Sequence, residues 1–237
     1  MIRHNSYGQP IGPEIEEWTP RVLPPRTPLI GRTCRIEPVD VERHSDDLYA
    51  AYSAAPDDRD WTYLPLERST SKAAFASYLA AMASSSDPLH HTVIDSELGR
   101  AVGTAAQMRI DPGNGSMEIG FVRWSPLMQR RIAGTEAMYL LMKRVFDELG
   151  YRRYEWKCDS LNERSRSAAL RYGFKFEGVF RNAAVVKKRS RDTAWFSITD
   201  HEWPSVKAAF AKWLLPSNFD NEGRQRSALA ALRGRAL

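Results

Sequence analysis

Seven consecutive residues, Gln129-Arg130-Arg131-Ile132-Ala133-Gly134-Thr135, carry what a bound anion needs from a protein. They follow a stretch of strand character, Met117–Trp124, and run into the longest amphipathic segment of the chain, Gly134–Leu149. The first turn of a helix has N–H groups without an intrahelical acceptor, and the helix dipole places roughly half a positive charge there. A diphosphate takes such donors directly. Arg130 and Arg131 would add charge-assisted hydrogen bonds, and the small Ala133 and Gly134 would let a phosphate approach the backbone. Taken alone, the same residues also describe an ordinary basic loop ahead of a core helix.

Other residue types able to do chemistry lie on either side. Upstream are Glu118 within the strand, the pair His90 and His91, and the aromatic Trp61 and Tyr63 in a loop closed by Pro65. Downstream are Cys158 near the end of a strand, an Asn162-x-x-Ser165 that opens a short helix, and a basic run containing Lys187, Lys188, Arg189 and Arg191. Histidine is the natural proton carrier near neutral pH, but a lone histidine is more often structural. A cysteine late in a strand is more often core than nucleophile. The basic run would touch a substrate, bind nucleic acid or simply solvate a hairpin, and the last reading is the simplest.

The elements that must hold these residues follow from periodicity. Residues 1–28 contain six prolines (10, 13, 20, 24, 25 and 28) and sustain no period. They read as an extended arm pinned by Trp18, Val22 and Leu23. Cys34–Asp40 reads as a strand, Val41–Ala54 as a helix, and Ser71–Ala83 as a second helix with Phe75, Tyr78, Leu79 and Met82 on one stripe. His91–Ile94, Ala101–Ile110 and Met117–Trp124 read as strands, with the dense turn Asp111-Pro-Gly-Asn-Gly115 before the last. Met138, Leu141, Met142, Val145, Phe146 and Leu149 give the long helix a buried stripe, and Gly150 ends it. Tyr151–Cys158 is a strand, and Asn162–Tyr172 is a helix stopped near Gly173. Phe174–Lys187 and Thr193–Thr199 are a closing pair of strands around Lys188–Asp192, and Ser205–Leu215 is a last helix. An Arg-rich tail follows Pro216.

Composition narrows the setting. A hydrophobic fraction of 43% over 237 residues supports one domain with extensions, or at most two small domains. No run of 18 apolar residues exists, so no membrane helix is expected. The first residues lack the apolar core of a secretory signal. Two distant cysteines, Cys34 and Cys158, fit a reducing cytoplasm better than a stapled scaffold. The formal charge of +5 favours anionic ligands in general. No nucleic-acid motif accompanies it, so a nucleic-acid partner is not expected.

With Thr135-Glu136-Ala137 after the loop, Asn162 and Ser165, and then Gly173-Phe174-x-x-Glu177-Gly178, the chain resembles the GNAT superfamily of acyl-CoA N-acyltransferases. Within it the chain is most similar to the RimJ/RimL-like branch. The likeness extends over about residues 32–200. It departs from the family at Ile132, where the loop pattern has a glycine, and at Ala169, where many members place a tyrosine acid.

The resemblance implies an α/β (α+β) fold: a mixed, mostly antiparallel sheet of about seven strands flanked by helices. An arm (1–31) would precede it and a helical extension (201–237) would follow. It also implies an acetyl-CoA-dependent N-acetyltransferase, with acetyl-CoA as co-substrate, no metal, and a primary amine of unidentified identity as acceptor. In this reading the strand before the loop parts from its neighbour. Val122 and Trp124 then meet the pantetheine and thioester. Gln129, Arg130, Arg131, Ala133, Gly134 and Thr135 hold the pyrophosphate, and Asn162 and Ser165 complete the cofactor site. Glu118 is the expected general base, with His90 and His91 as alternatives. Ser165 is the expected acid, with Tyr172 nearby. Trp61 and Tyr63 wall the acceptor pocket. The changes at Ile132 and Ala169 keep open an alternative, a catalytically degenerate acyl-CoA-binding domain. A homodimer is possible, the arm and tail being the segments outside the shared core.

Overall fold

A computed structural model of the chain describes residues 3–233. Strands β1 (Arg3–His4) and β2 (Pro10–Ile11) form a small antiparallel ladder by themselves. The main sheet comprises β3 (Leu29–Ile30), β4 (Cys34–Pro38), β5 (Leu89–Asp95), β6 (Arg100–Asp111), β7 (Ser116–Trp124), β8 (Arg153–Asp159), β9 (Lys175–Val186) and β10 (Arg189–Thr199). Their spatial order is β3-β4-β5-β6-β7-β8-β10-β9. Every neighbouring pair is antiparallel except β7 with β8, which run parallel. A parallel pair needs a crossover. Helix α3 (Ile132–Lys143) supplies it and brings its N-terminus to the end of β7.

The sheet is one strand wider than expected because β3 lies in the expected arm, directly after its Pro-rich stretch. Two residues of strand leave no readable pattern. The arm is held mainly by groups other than those expected. Val22 and Leu23 are each 66% exposed, whereas Pro24 and Leu29 are buried. Val22 contributes only its carbonyl, which accepts from the Tyr151 hydroxyl at 3.1 Å. Trp18 does anchor, donating from Nε1 to the Gly113 carbonyl at 2.8 Å, with the Arg21 guanidinium over its ring. Arg144 reaches back to the Thr27 carbonyl at 2.8 Å.

Helices α1 (Val41–Ser53) and α2 (Lys72–Ser84) cover one face of the sheet. Leu48, Tyr52, Phe75, Leu79 and Met82 form a core there with Val39 and Ile94. Their starts are written locally: Asp40 accepts from the Arg43 N–H and Ser71 from the Ala74 N–H. On the other face α3, α4 (Glu163–Tyr172) and α5 (Trp203–Trp213) pack the larger core, which includes Met117, Ile119, Met138, Leu141, Tyr154, Trp156, Phe196 and Phe210. Helix α5 is part of this core and no appendage, since Phe210 stacks on Tyr139 and Trp203 on Phe146. A short α6 (Leu229–Leu232) follows, and the last four residues of the tail lie outside the described chain.

Two expected elements differ in outline. The long helix is α3 followed by a widened π turn, Arg144–Glu148, in which the Leu149 N–H reaches the Arg144 carbonyl five residues back. Gly150, with φ 66°, then breaks the run. The β9–β10 turn is Lys187–Lys188, with Arg189–Asp192 already on or beside the ladder. Both turn residues have positive φ, 50° and 62°, as a two-residue hairpin turn requires. Neither is glycine, and the expected turn, Lys188–Asp192, overlaps the observed one only at Lys188. Lys187 Nζ is fastened elsewhere, donating to the Trp61 carbonyl and pairing with Glu67 Oε2, each at 2.9 Å.

The buried histidines give the fold a pH dependence. His90 and His91 are 6% and 1% exposed, and burial pushes both down to about 4. Burial lowers His44 as well. The folded rings are therefore neutral, while the unfolded chain takes up protons below the ordinary value near 6.5. Stability is thus complete above about pH 6.5 and is lost as pH falls toward 4, at up to about 1.4 kcal/mol per pH unit for each ring. Urea midpoints should fall steadily from pH 7 to pH 5, and His91→Gln should flatten the slope. Midpoints that stay level over this range would exclude these histidines as the cause.

Candidate active site

Strands β7 and β8 stay together for only four pairs, Ser116–Ile119 with Arg153–Trp156. Beyond Ile119 and Trp156 they part, and the far edge of β7 from Gly120 to Trp124 has no strand against it. On its other edge β7 keeps its pairing with β6, but Gly120 lies opposite Ala106 and Arg123 opposite Thr104. Three steps on β7 span two on β6, so a bulge sits at Phe121–Val122. Phe121 has φ 48°, a left-handed conformation unusual for a bulky residue. Its ring lies 5.2 Å from that of His90. A bulge re-aims the backbone, and here it does so where the free N–H and C=O groups of β7 face the gap.

The gap ends at the turn between β7 and α3. Met128 and Gln129 N–H groups bond the Ser125 carbonyl, and Arg130 takes a positive φ of 62°. Arg131 is the N-cap residue of α3, and no side chain caps the helix. The leading N–H groups of α3 are therefore left to backbone or to an added acceptor. Ala133, Gly134 and Thr135 are buried, and Ile132 turns its side chain onto the core. The side chain standing in place of a glycine is thus packed in part against the core. A Cβ on Gly134 would stand 3.4 Å from Trp124 Nε1, which puts the indole directly over the first turn of α3.

Of the two arginines expected to meet a phosphate, only Arg130 is exposed. Arg131 turns to the β5–β6 side and pairs with Asp95 at 3.5 Å and with Glu97. Gln129 also serves the loop rather than a ligand. Its Nε2 donates to the Trp124 carbonyl at 3.1 Å and to Asp60 Oδ2 at 3.0 Å. Arg164 of α4 reaches the same Asp60 at 3.2 Å. Asp60 thus ties together the α1–α2 loop, the turn before α3 and the start of α4. Partners 69 and 104 residues away left no local signal for it. Arg171 is a second residue the sequence did not mark; it donates to Thr135 Oγ1 at 3.0 Å and joins α4 to the first turn of α3.

Asn162 caps α4, its Oδ1 accepting from the Ser165 N–H at 3.1 Å. The Ser165 hydroxyl is separate from that cap. Its oxygen accepts from Trp156 Nε1 at 3.0 Å, at the point where β8 leaves β7. The indole donor occupies a lone pair on Oγ and leaves the hydroxyl proton free to be given elsewhere. Cys158 is beside it and buried, its thiol pushed up by burial. A thiol so held is no nucleophile. Tyr172 is 6% exposed and its hydroxyl is likewise raised by burial.

Glu118 sits three residues before the bulge, 4% exposed. Its Oε2 is shared by Arg109 Nη1 at 2.6 Å and Lys157 Nζ at 2.9 Å, and the lysine also lies 3.7 Å from the Trp195 ring centre. Its Oε1 is turned toward Gly120, 3.6 Å from where a Cβ would stand. Trp61 is 3% exposed and walls a cavity under the α1–α2 loop, while the half-buried Tyr63 does not line it. Among the described residues no cluster of histidine, cysteine and carboxylate side chains has the makings of a metal site.

A model of the acetyltransferase (GNAT) domain matches residues 35–175. The chain belongs to the GNAT acetyltransferase family. A GCN5-related N-acetyltransferase from Brucella melitensis is 48% identical over 92% of this chain and 99% of its own, with a TM-score of 0.91. A probable acetyltransferase of the GNAT family from Chromobacterium violaceum is 38% identical over 83% of this chain and 98% of its own, with a TM-score of 0.76. The microcin C7 self-immunity acetyltransferase MccE, solved with acetyl-CoA and AMP, shares the fold at 19% identity and a TM-score of 0.60, over 71% of this chain and 93% of its own. No curated protein matches by sequence. In this GNAT domain the gap between β7 and β8, the bulge and the start of α3 lie in one continuous path. No helix among the described residues is long and apolar enough to cross a membrane.

Proposed function

We propose that this GNAT domain is an acetyl-CoA-dependent N-acetyltransferase of the RimJ/RimL-like kind, working in a reducing cytoplasm. In this reading it moves an acetyl group to a primary amine by direct transfer within a ternary complex. The observation that carries the reading is the early parting of β7 from β8. It leaves an unpaired, bulged strand edge leading to the uncapped start of α3. Such an edge pairs with the amides of a pantetheine arm, and the helix start receives its pyrophosphate. Arg130 supplies charge there, with Ala133, Gly134 and Thr135 forming the floor. MccE, whose structure holds acetyl-CoA, shares this fold. The two free, buried thiols Cys34 and Cys158 suit a reducing compartment.

The neutral amine attacks the thioester carbonyl carbon, and a C–N bond forms. A backbone N–H at Val122 or Trp124 steadies the oxygen as it gains charge. The C–S bond then breaks, and the leaving thiolate takes a proton from Ser165 Oγ, whose hydrogen the Trp156 indole leaves free. In this reading Glu118, whose Oε1 lies beside Gly120, receives the amine proton. Ala169 is fully buried, so no side chain at that position competes with Ser165 for the acid role.

Calorimetric titration should show acetyl-CoA binding at sub-millimolar concentration, and amines in excess should release free thiol. No binding of acetyl-CoA or CoA at these levels would end this reading.

A further inference from the structure

Helix α4 turns one stripe toward the start of α3. Arg164, Ala168 and Arg171 recur at helical spacing, so they share a face of α4. Arg164 reaches Asp60, which also holds Gln129 of the turn before α3. Arg171 Nη1 donates to Thr135 Oγ1 of α3 at 3.0 Å. The small Ala168 lies between the two arginines.

Arg171 is little committed. It is half-buried, its guanidinium carbon 5.2 Å from the Trp213 ring centre and 5.4 Å from that of Tyr172. Every nitrogen of a guanidinium is a donor, and among the described residues only the Thr135 contact uses one. Arg131, which was expected to meet a phosphate, has instead both Asp95 and Glu97. The carboxylate nearest to Thr135 along α3, that of Glu136, is turned away to Arg32 and Thr33. A second guanidinium stands close to Arg171, that of Arg233. It donates to the Leu170 carbonyl at 2.8 Å, and burial and then Arg171 hold it below its ordinary value.

The rest of the surroundings are donors too. Tyr172 is 6% exposed, with the side-chain donors of Trp124, Arg171 and Thr135 around its hydroxyl. Trp124 Nε1 lies over the first turn of α3, and no side chain caps that helix. A guanidinium, an indole, two hydroxyls and a helix start thus converge, and among the described residues no carboxylate pairs with Arg171. Shielded donors in excess are costly until an acceptor completes them. A multiply charged oxyanion is the ligand that such a set fits.

We propose that Arg171 is a ligand of the cofactor's diphosphate, taking from α4 the part that Arg131 does not play. This rests on the acetyltransferase reading above. A planar guanidinium can give two donors to phosphate oxygens at once. The bond to Thr135 and the rings of Tyr172 and Trp213 fix its place beforehand, so little freedom is lost on binding. The diphosphate is then held from both walls of the groove, by α3 and Arg130 on one side and by α4 on the other.

The experiment uses the full chain, parent and Arg171→Gln, titrated by calorimetry with CoA and with dephospho-CoA. The second ligand keeps the diphosphate and lacks the 3′-phosphate. Loss of a charge-assisted contact should weaken both ligands alike, by about 10- to 100-fold. Phosphorus NMR of the CoA-saturated proteins reads the contact itself. The diphosphate signals of the variant should move from their parent positions, and the 3′-phosphate signal should stay. Arg171→Lys keeps the charge, loses the planar fork and should recover part of the affinity. It also serves if Arg171→Gln fails to fold.

CoA affinity within about twofold of the parent in every variant that folds overturns the assignment. So does a loss seen with CoA that disappears with dephospho-CoA, which would give Arg171 to the 3′-phosphate. Weakened binding with diphosphate signals at their parent positions also overturns it, since Arg171 would then only brace α4 against α3. If the parent itself binds neither CoA nor acetyl-CoA, the underlying enzyme reading fails, and the assignment falls with it.

Discussion

Replacing Glu136 by alanine should cost the fold about 3–5 kcal/mol, a large part of the roughly 5–15 kcal/mol that holds a domain of this kind together. Glu136 is 6% exposed and lies just past the first turn of α3. Its carboxylate accepts from the Arg32 N–H at 2.9 Å and from both the N–H and the hydroxyl of Thr33. Three donors of the β3–β4 turn thus end on one side chain, and without it each loses its acceptor. The fit also constrains the partner, because a Cβ on Gly31 would stand 2.7 Å from the carboxyl carbon of Glu136. Urea denaturation measures the loss directly. Glu136→Gln, which keeps the shape and one acceptor oxygen, should be milder. A Glu136→Ala protein within about 1 kcal/mol of the parent would show that the turn finds other acceptors. The Thr135-Glu136-Ala137 motif of the resemblance therefore contributes in different ways: Glu136 fastens the first strands to α3, while Thr135 meets Arg171.

Replacing Ser165 by alanine should lower kcat by about 100-fold, at the low end of what a positioned proton donor contributes. KM for acetyl-CoA should change little. Helix α4 survives the change because its cap uses the Ser165 backbone N–H and the Asn162 side chain. Ser165→Thr restores a hydroxyl within reach of Trp156 Nε1 and should recover part of the rate. If kcat stays within about twofold of the parent, Ser165 is only a structural neighbour of the indole.

Much of the fold was legible because local chemistry announces it. Asp40, Ser71 and Asn162 mark the starts of α1, α2 and α4, and Gly150 and Gly173 mark stops through positive φ. The stripe from Met138 to Phe146 gave α3 and its buried face, but not the point where its turns widen, since α and π turns share nearly the same stripe. Strand β3 escaped because two residues between Pro28 and Gly31 have no alternation to show. The hairpin turn was placed late, at Lys188–Asp192, because Lys187 and Lys188 hold positive φ without a glycine or asparagine. At the site, backbone and short-range features were readable: the helix start, the Asn162 cap and the strand that becomes β7. The long-range ones were not. That Arg131 turns to Asp95 and Glu97, that Gln129 turns to Asp60, and that Glu118 shares an oxygen between two cations are all settled by strands and loops far away in sequence. Arg171 looked like one more charged residue on a helix. Only Thr135 of α3 and the ring of Trp213 from α5 set it apart.

The short run of four pairs between β7 and β8 gives the sheet a crease. Five strands lie on one side of it and three on the other, each half stitched internally by long antiparallel ladders. Movement about that crease changes the width of the cleft without breaking a ladder in either half. Whatever lies in the cleft as an extended chain acts as a removable strand between them, so the molecule is a more continuous solid when filled than when empty.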